Sequence, residues 1–399
     1  MSYLSRFDEF HEQAAKIAGL TDFGTTDYVE PMKLLLSDYD KYGQFTPIGE
    51  QITCGGLVGL LIARLFAQKG FKAHPEFANA PIERPIIISG MPRTGSTTLH
   101  RLLARDPNTQ WMTPWLGNTP MPRPPRETWE ANPWYQMTRQ GLEGFWQIFP
   151  AIKLMHPMFA DQPDECRYGL ESAFWSPSLA YAGPLHCAYG EWVKNTVPHY
   201  AYAYYRKVLG LIAGGDKRRW ILKDPTTHLW VPELLLETFP DACIVYTHRD
   251  PVKCMASVAH MLYPVRSSRF SYLTHEQHGR ETLDYWVTAI ERTEAAMSQL
   301  DASRIIHVHI DELQADPVAT ATKIYRHFNI QVTTEATQAW QQFTDADPRA
   351  GHGKHDVKVE DCGFTAKEVY AKVPTYWAAY QQRYDAHFFN DLAPELRIS

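Results

Sequence analysis

The feature that most constrains this chain is the loop Gly90-Met91-Pro92-Arg93-Thr94-Gly95-Ser96-Thr97-Thr98, which follows the uninterrupted apolar run Ile86-Ile87-Ile88. A short run that is apolar on both sides predicts a strand covered on both faces, as in a parallel sheet. The loop then opens a helix from about Gly95 to Ala104. The first backbone N–H groups of a helix have no intrahelical partner, and the helix dipole adds partial positive charge there. Glycine lets the backbone approach an anion closely. Ser96, Thr97 and Thr98 add hydroxyl donors, and Arg93 adds a charged fork. Pro92, Arg93, Thr94, Gly95, Ser96, Thr97 and Thr98 together form a candidate oxyanion cradle.

A nucleoside-triphosphate loop has the form GxxxxGK[ST]. Gly90 and Gly95 have its spacing, but Ser96 stands where the lysine belongs, and the cation sits two positions before the second glycine. This pattern fits a different phosphate ester better than ATP. A P-loop kinase or NTPase remains an alternative, as does a non-catalytic binder of a phosphorylated nucleotide or lipid.

Three further strand–turn–helix units follow. Trp220–Lys223 leads to Asp224-Pro225 and a helix around 231–238. Cys243–Thr247 leads to Arg249-Asp250-Pro251 and a helix through about Met261, with Asp250 as its N-cap and Pro251 as its first residue. A fourth strand is expected at Arg304–Ile310, with a helix over 316–328. Alternating strands and helices imply right-handed crossovers and an α/β fold: a P-loop-like parallel sheet flanked by helices, with ligands at the carboxyl ends of the strands.

The chain of 399 residues reads as one domain. Residues 1–80 form a helical N-terminal cap, and 85–107 with 219–330 form the nucleotide-binding core. Residues 108–218 are a large helical and loop insert, and 331–399 a C-terminal helical region with a closing loop. The insert is rich in Trp, Tyr and Pro, including Trp111, Trp115, Trp129, Trp134 and Tyr200, Tyr202, Tyr204, Tyr205. Such side chains offer apolar area with polar edges, suited to a small-molecule or lipid-like acceptor such as a sterol, polyketide, phenol or glycolipid.

A net charge of −6 opposes a general nucleic-acid binder. The six cysteines contain no CxxC pair and no zinc spacing, which predicts reduced thiols in a cytoplasmic protein. The N-terminus has no apolar segment of the secretory kind. The apolar run near Gly55–Ala67, broken by Arg64, is too short to span a bilayer. No integral membrane segment is therefore expected.

The stretch Pro92-Arg93-Thr94-Gly95-Ser96-Thr97 resembles the 5′-phosphosulfate loop of sulfotransferases, in its bacterial Arg-containing form. The resemblance implies 3′-phosphoadenosine 5′-phosphosulfate as sulfonate donor, adenosine 3′,5′-bisphosphate as product, no metal, and Arg93 as the cation that neutralises the bridging and sulfonate oxygens. Arg249 at a strand end, with Ser257 on the following helix, resembles the family's 3′-phosphate site. His309–Pro317 resembles an architectural turn. Gly351-His352-Gly353-Lys354-His355 resembles the loop that closes over the 3′-phosphate, which implies Lys354 as a contact.

Sulfonyl transfer to a hydroxyl needs a base within hydrogen-bond reach and cations where negative charge builds. Lys223 keeps the family position of a second cation near the sulfonate. Two residues compete as the base. His228 follows the strand ending at Lys223. Glu165, in Ala160-Asp161-Gln162-Pro163-Asp164-Glu165-Cys166, resembles an acidic segment of bacterial members. Trp111–Leu116, where the tyrosylprotein branch carries its glutamate, contains no acid.

Overall fold

The three isoleucines of the first strand divide between two cores, and this division organises the molecule. In the computed structural model, which describes residues 2–183, 187–346 and 359–384, β1 is Ile86–Gly90. Ile87 packs into the larger core with the N-terminal helices and the insert. Ile86 and Ile88 pack into a second core on the other face, with helices Ser96–Leu103, Pro317–His327 and Thr334–Asp345. Successive strand side chains point to opposite faces, so a continuous apolar run is what a doubly covered strand requires.

The other strands are β2 (Thr109–Gln110), β3 (Arg219–Lys223), β4 (Cys243–His248) and β5 (Ile305–His309). They form one sheet in the order β2-β3-β1-β4-β5, with every pairing parallel. β1 lies centrally between β3 and β4. Ile88 is in register with Lys223, and Gly90 with Thr247. The loops after these three strands therefore emerge side by side at one edge of the sheet.

Three boundaries differ from the sequence-based expectation. Thr109–Gln110, assigned by the sequence to the insert, instead adds β2 to the sheet beside Arg219 and Trp220. A two-residue edge strand carries no periodicity to read. The helix after Asp250 runs to Arg269 rather than to about Met261, with Pro264 inside it. Tertiary packing has overridden the proline's tendency to stop a helix. The apolar run near Gly55–Ala67 belongs to a helix spanning Pro47–Ala73, long and apolar enough by length and composition to cross a membrane. Leu57, Leu61 and Leu65 of that helix are buried in the larger core. Arg64 is pinned within the protein by donating to the Ser172 carbonyl at 3.0 Å.

Within the insert, prolines start helices at Pro114, Pro133, Pro150 and Pro177. Proline fits the first helical position because its missing N–H would have no partner there. Segment 120–125 is irregular, as its composition predicts.

Candidate active site

The loop after β1 is built from unusual backbone. Gly90, Arg93 and Gly95 have φ of 129°, 73° and 83°. A Cβ at Gly90 would strike the Thr247 carbonyl and hydroxyl of β4. That close approach draws the loops after β1 and β4 together. Pro92 and Thr94 are buried, while Arg93, Thr97 and Thr98 remain partly accessible. The Thr94 side chain turns inward. Its hydroxyl donates to the Met91 carbonyl at 2.7 Å and lies 2.6 Å from the Thr247 hydroxyl. Thr94 thus braces the loop with its side chain and leaves only its backbone to line it. Ser96 begins the helix behind the loop, with Gly95 as N-cap.

The second anion candidate lies alongside. Asp250 caps the helix Pro251–Arg269 by accepting from Val252 N–H at 2.8 Å. Arg249 donates from Nη1 to the Arg93 carbonyl at 3.0 Å. Arg93 donates from Nε to the Ser257 hydroxyl at 3.0 Å and from Nη1 to the Met155 carbonyl at 2.9 Å. Burial, and then the neighbouring Arg249, push the Arg93 guanidinium below its ordinary pKa. Among the described residues no carboxylate pairs with either arginine. Two neighbouring guanidiniums with no carboxylate partner among the described residues make this a candidate anion site. Arg93, Arg249 and Ser257 are therefore brought together. Lys354 lies outside the described residues.

Lys223, at the tip of β3, links the loop to the insert. Its ammonium donates to the Thr97 hydroxyl at 3.1 Å and to Glu165 Oε1 at 2.9 Å. The insert segment is stitched in place by its backbone. Asp164 N–H donates to the Met112 carbonyl and Cys166 N–H to the Lys223 carbonyl, each at 2.9 Å. Burial would raise the Glu165 pKa, but Lys223, then His156 and Arg167, outweigh it and hold the carboxyl at about 2. Next along the chain, burial and the negative Glu165 push Asp224 up to about 6. One Asp224 oxygen accepts from the backbone N–H groups of Thr226 and Thr227, each at 2.9 Å.

His228 is placed differently from Glu165. It is fully enclosed, with Nδ1 2.9 Å from the Tyr202 hydroxyl, and burial lowers its pKa to about 3. Its Nε2 has no hydrogen-bond partner among the described residues. Among the described residues, neither ring nitrogen bonds to Lys223 or to the loop after β1.

Sequence reasoning missed His156. His156, Asp164 and Glu165 each offer a donor atom, all within 4.8 Å of one another. That spacing would admit a metal ion. However, Lys223 and Arg167 already bring positive charge to 2.9 and 3.7 Å of Glu165. The donor set is thus matched by protein cations. His156 carries no local motif, and only the fold of the insert brings it to Glu165.

Comparison with known proteins agrees with this architecture. Residues 85–335 match the sulfotransferase family. The chain is similar to the crystal structure of sulfotransferase STF1 from Mycobacterium tuberculosis H37Rv, with 34% identity and a TM-score of 0.83 over 94% of this chain and 99% of that one. It shares the fold of sulfotransferase STF9 from Mycobacterium avium, with 24% identity and a TM-score of 0.84 over 95% of this chain and 96% of that one. It is also 24% identical over 257 residues to the omega-hydroxy-beta-dihydromenaquinone-9 sulfotransferase Stf3 of Mycobacterium bovis, covering 62% of this chain and 63% of that protein. The chain thus spans under two thirds of the length of that curated relative. With the family matched across most of its length and the fold shared nearly end to end, the chain belongs to the sulfotransferase family.

Proposed function

We propose that this chain transfers a sulfonate group from 3′-phosphoadenosine 5′-phosphosulfate to a hydroxyl of a lipid-like acceptor. The observation that carries the reading is the chain Thr97–Lys223–Glu165. It links the oxyanion loop to a buried carboxylate on the aromatic insert through one ammonium, with links of 3.1 and 2.9 Å.

The backbone of residues 92–98 and the Ser96, Thr97 and Thr98 hydroxyls hold the 5′-phosphosulfate. Arg249 and Ser257 hold the 3′-phosphate, and Lys354 closes over it. Arg93, bonded to Ser257 and contacted by Arg249, spans both ends of the nucleotide. In the reaction the acceptor oxygen attacks sulfur as the bond from sulfur to the phosphate oxygen breaks. Glu165 takes the acceptor proton, and Lys223 and Arg93 stabilise charge on the sulfonate and the leaving bisphosphate. Glu165 is preferred to His228 because it sits on the cation that reaches the loop. The cations do the neutralising, so we propose no metal. The Stf3 relative is named for omega-hydroxy-beta-dihydromenaquinone-9, a hydroxylated menaquinone. Together with the aromatic insert, this supports a lipid-like acceptor. None of the six cysteines, all among the described residues, forms a disulfide, in keeping with a cytoplasmic location.

The test is transfer of labelled sulfonate to a panel of hydroxylated polyprenyl quinones, sterols and phenols, with a chelator present. Product from at least one acceptor is expected. Modification only with ATP and Mg²⁺ would establish a kinase instead. Tight binding of adenosine 3′,5′-bisphosphate with no transfer to any acceptor would leave a non-catalytic binder.

A further inference from the structure

The Arg249–Asp250 turn is held from the far end of the chain. Tyr376, on the helix Pro374–Arg383, donates its hydroxyl to the Arg249 carbonyl at 3.2 Å, across 127 residues of sequence. Tyr370, on the helix Ala366–Lys372, donates to Asp250 Oδ2 at 3.2 Å. The other oxygen of Asp250 is already engaged in capping the following helix. Both residues of the turn are therefore gripped by C-terminal tyrosines.

The grip is itself supported. His248 Nδ1 lies 3.2 Å from the Tyr376 hydroxyl, and His248 Nε2 lies 2.9 Å from His307 Nδ1. One assignment of hydrogens satisfies the whole chain. His307 donates to His248, His248 donates to Tyr376, and Tyr376 donates to Arg249. Glu291 fixes the helix that carries Tyr376 by accepting from the backbone N–H groups of Thr375 and Tyr376 at 3.1 and 3.0 Å. Beyond the turn, the Arg249 side chain reaches the Arg93 carbonyl at 3.0 Å.

We infer that Tyr376 and Tyr370 are positioning residues that set selectivity for a donor bearing a 3′-phosphate, by holding the Arg249 turn at the reach where its guanidinium meets that phosphate. The inference rests on the assignment of Arg249 to the 3′-phosphate. A charge-assisted hydrogen bond weakens steeply when its geometry is lost. Freeing the turn therefore costs the 3′ contact first. The contacts at the 5′ end come from the backbone and hydroxyls of residues 92–98, which the tyrosines reach only indirectly, through the single Arg249–Arg93 bond.

The test is calorimetric titration of the full chain with adenosine 3′,5′-bisphosphate and with adenosine 5′-monophosphate. Tyr376→Phe and Tyr370→Phe each remove one oxygen and keep the ring. Each is expected to weaken the bisphosphate by roughly fivefold to tenfold, about one hydrogen bond's worth, and the monophosphate by less than about twofold. Equal weakening of both ligands, or of neither, overturns the inference. Should Tyr376→Phe fail to fold, as judged by circular dichroism, Tyr370→Phe alone decides. Arg249→Ala separates the two levels of the argument. If that variant keeps the wild-type preference for the bisphosphate, the assignment of Arg249 has failed and the inference falls with it. If it loses the preference while the tyrosine variants keep it, only the positioning role is wrong.

Discussion

Lys223 and Glu165 form an ion pair at 2.9 Å with the lysine side chain 1% and the glutamate side chain 10% exposed. They lie 58 residues apart in sequence, one on the sheet and one on the insert. Enclosed charges are costly singly and tolerable together. This pair therefore ties the insert to the core and places a carboxylate beside the oxyanion loop.

Removing one partner should leave an uncompensated buried charge. Glu165→Gln and Lys223→Met are each expected to lower stability by about 3–5 kcal/mol, measured by denaturant unfolding. The double variant should recover much of that loss, because no lone charge remains. Activity should not recover with it. Each single variant and the double are expected to lose at least roughly 10²-fold in kcat. Recovery of turnover in the double variant would remove the pair from the mechanism.

The pH dependence has a definite sign. Burial pushes the Glu165 carboxyl up, but Lys223, His156 and Arg167 hold it at about 2, below its ordinary 4.5. A carboxyl lowered on folding contributes its full stabilisation above its ordinary value, and that contribution drains away as the pH falls toward the folded value. In Lys223→Met the upward push of burial loses its strongest opponent. The acid-unfolding midpoint, followed by fluorescence, should therefore move to higher pH. An unchanged midpoint would show that the carboxylate is held by other partners.

His228 and Glu165 are separated by the same kind of experiment. His228 is enclosed, bonded to Tyr202 and held at about 3 by burial. His228→Gln should lower thermal stability while leaving kcat within about fivefold of wild type, whereas a lost general base costs roughly 10²-fold or more. The reverse ranking of His228→Gln and Glu165→Gln in steady-state kinetics would transfer the base role to the histidine.

Gly90 tests the closeness of the two strand tips. Its φ of 129° and the Thr247 backbone leave no room for a Cβ. Gly90→Ala is expected to cost more than about 2 kcal/mol and to weaken adenosine 3′,5′-bisphosphate binding, read by calorimetry. A neutral outcome would mean that the loop relaxes without separating from β4.

Much of this protein was legible locally. The isoleucine run, the glycines of the loop and the Asp250-Pro251 helix start act through backbone sterics, capping and burial within a few residues, so the alternation of strand and helix and the loops at the strand tips could be read directly. What the sequence could not show depends on segments far apart in the chain. β2 exists only because Arg219 and Trp220 offer it a partner. Thr94 turns inward because Thr247 awaits it on the neighbouring strand. Glu165 meets Lys223, His156 meets Glu165, and Tyr376 meets Arg249 only after the insert and the C-terminal helices have packed. Short-range propensity places the glycine-containing loop after β1. Long-range packing of enclosed charges and hydroxyls, which has no period in the sequence, decides which side chains stand beside it.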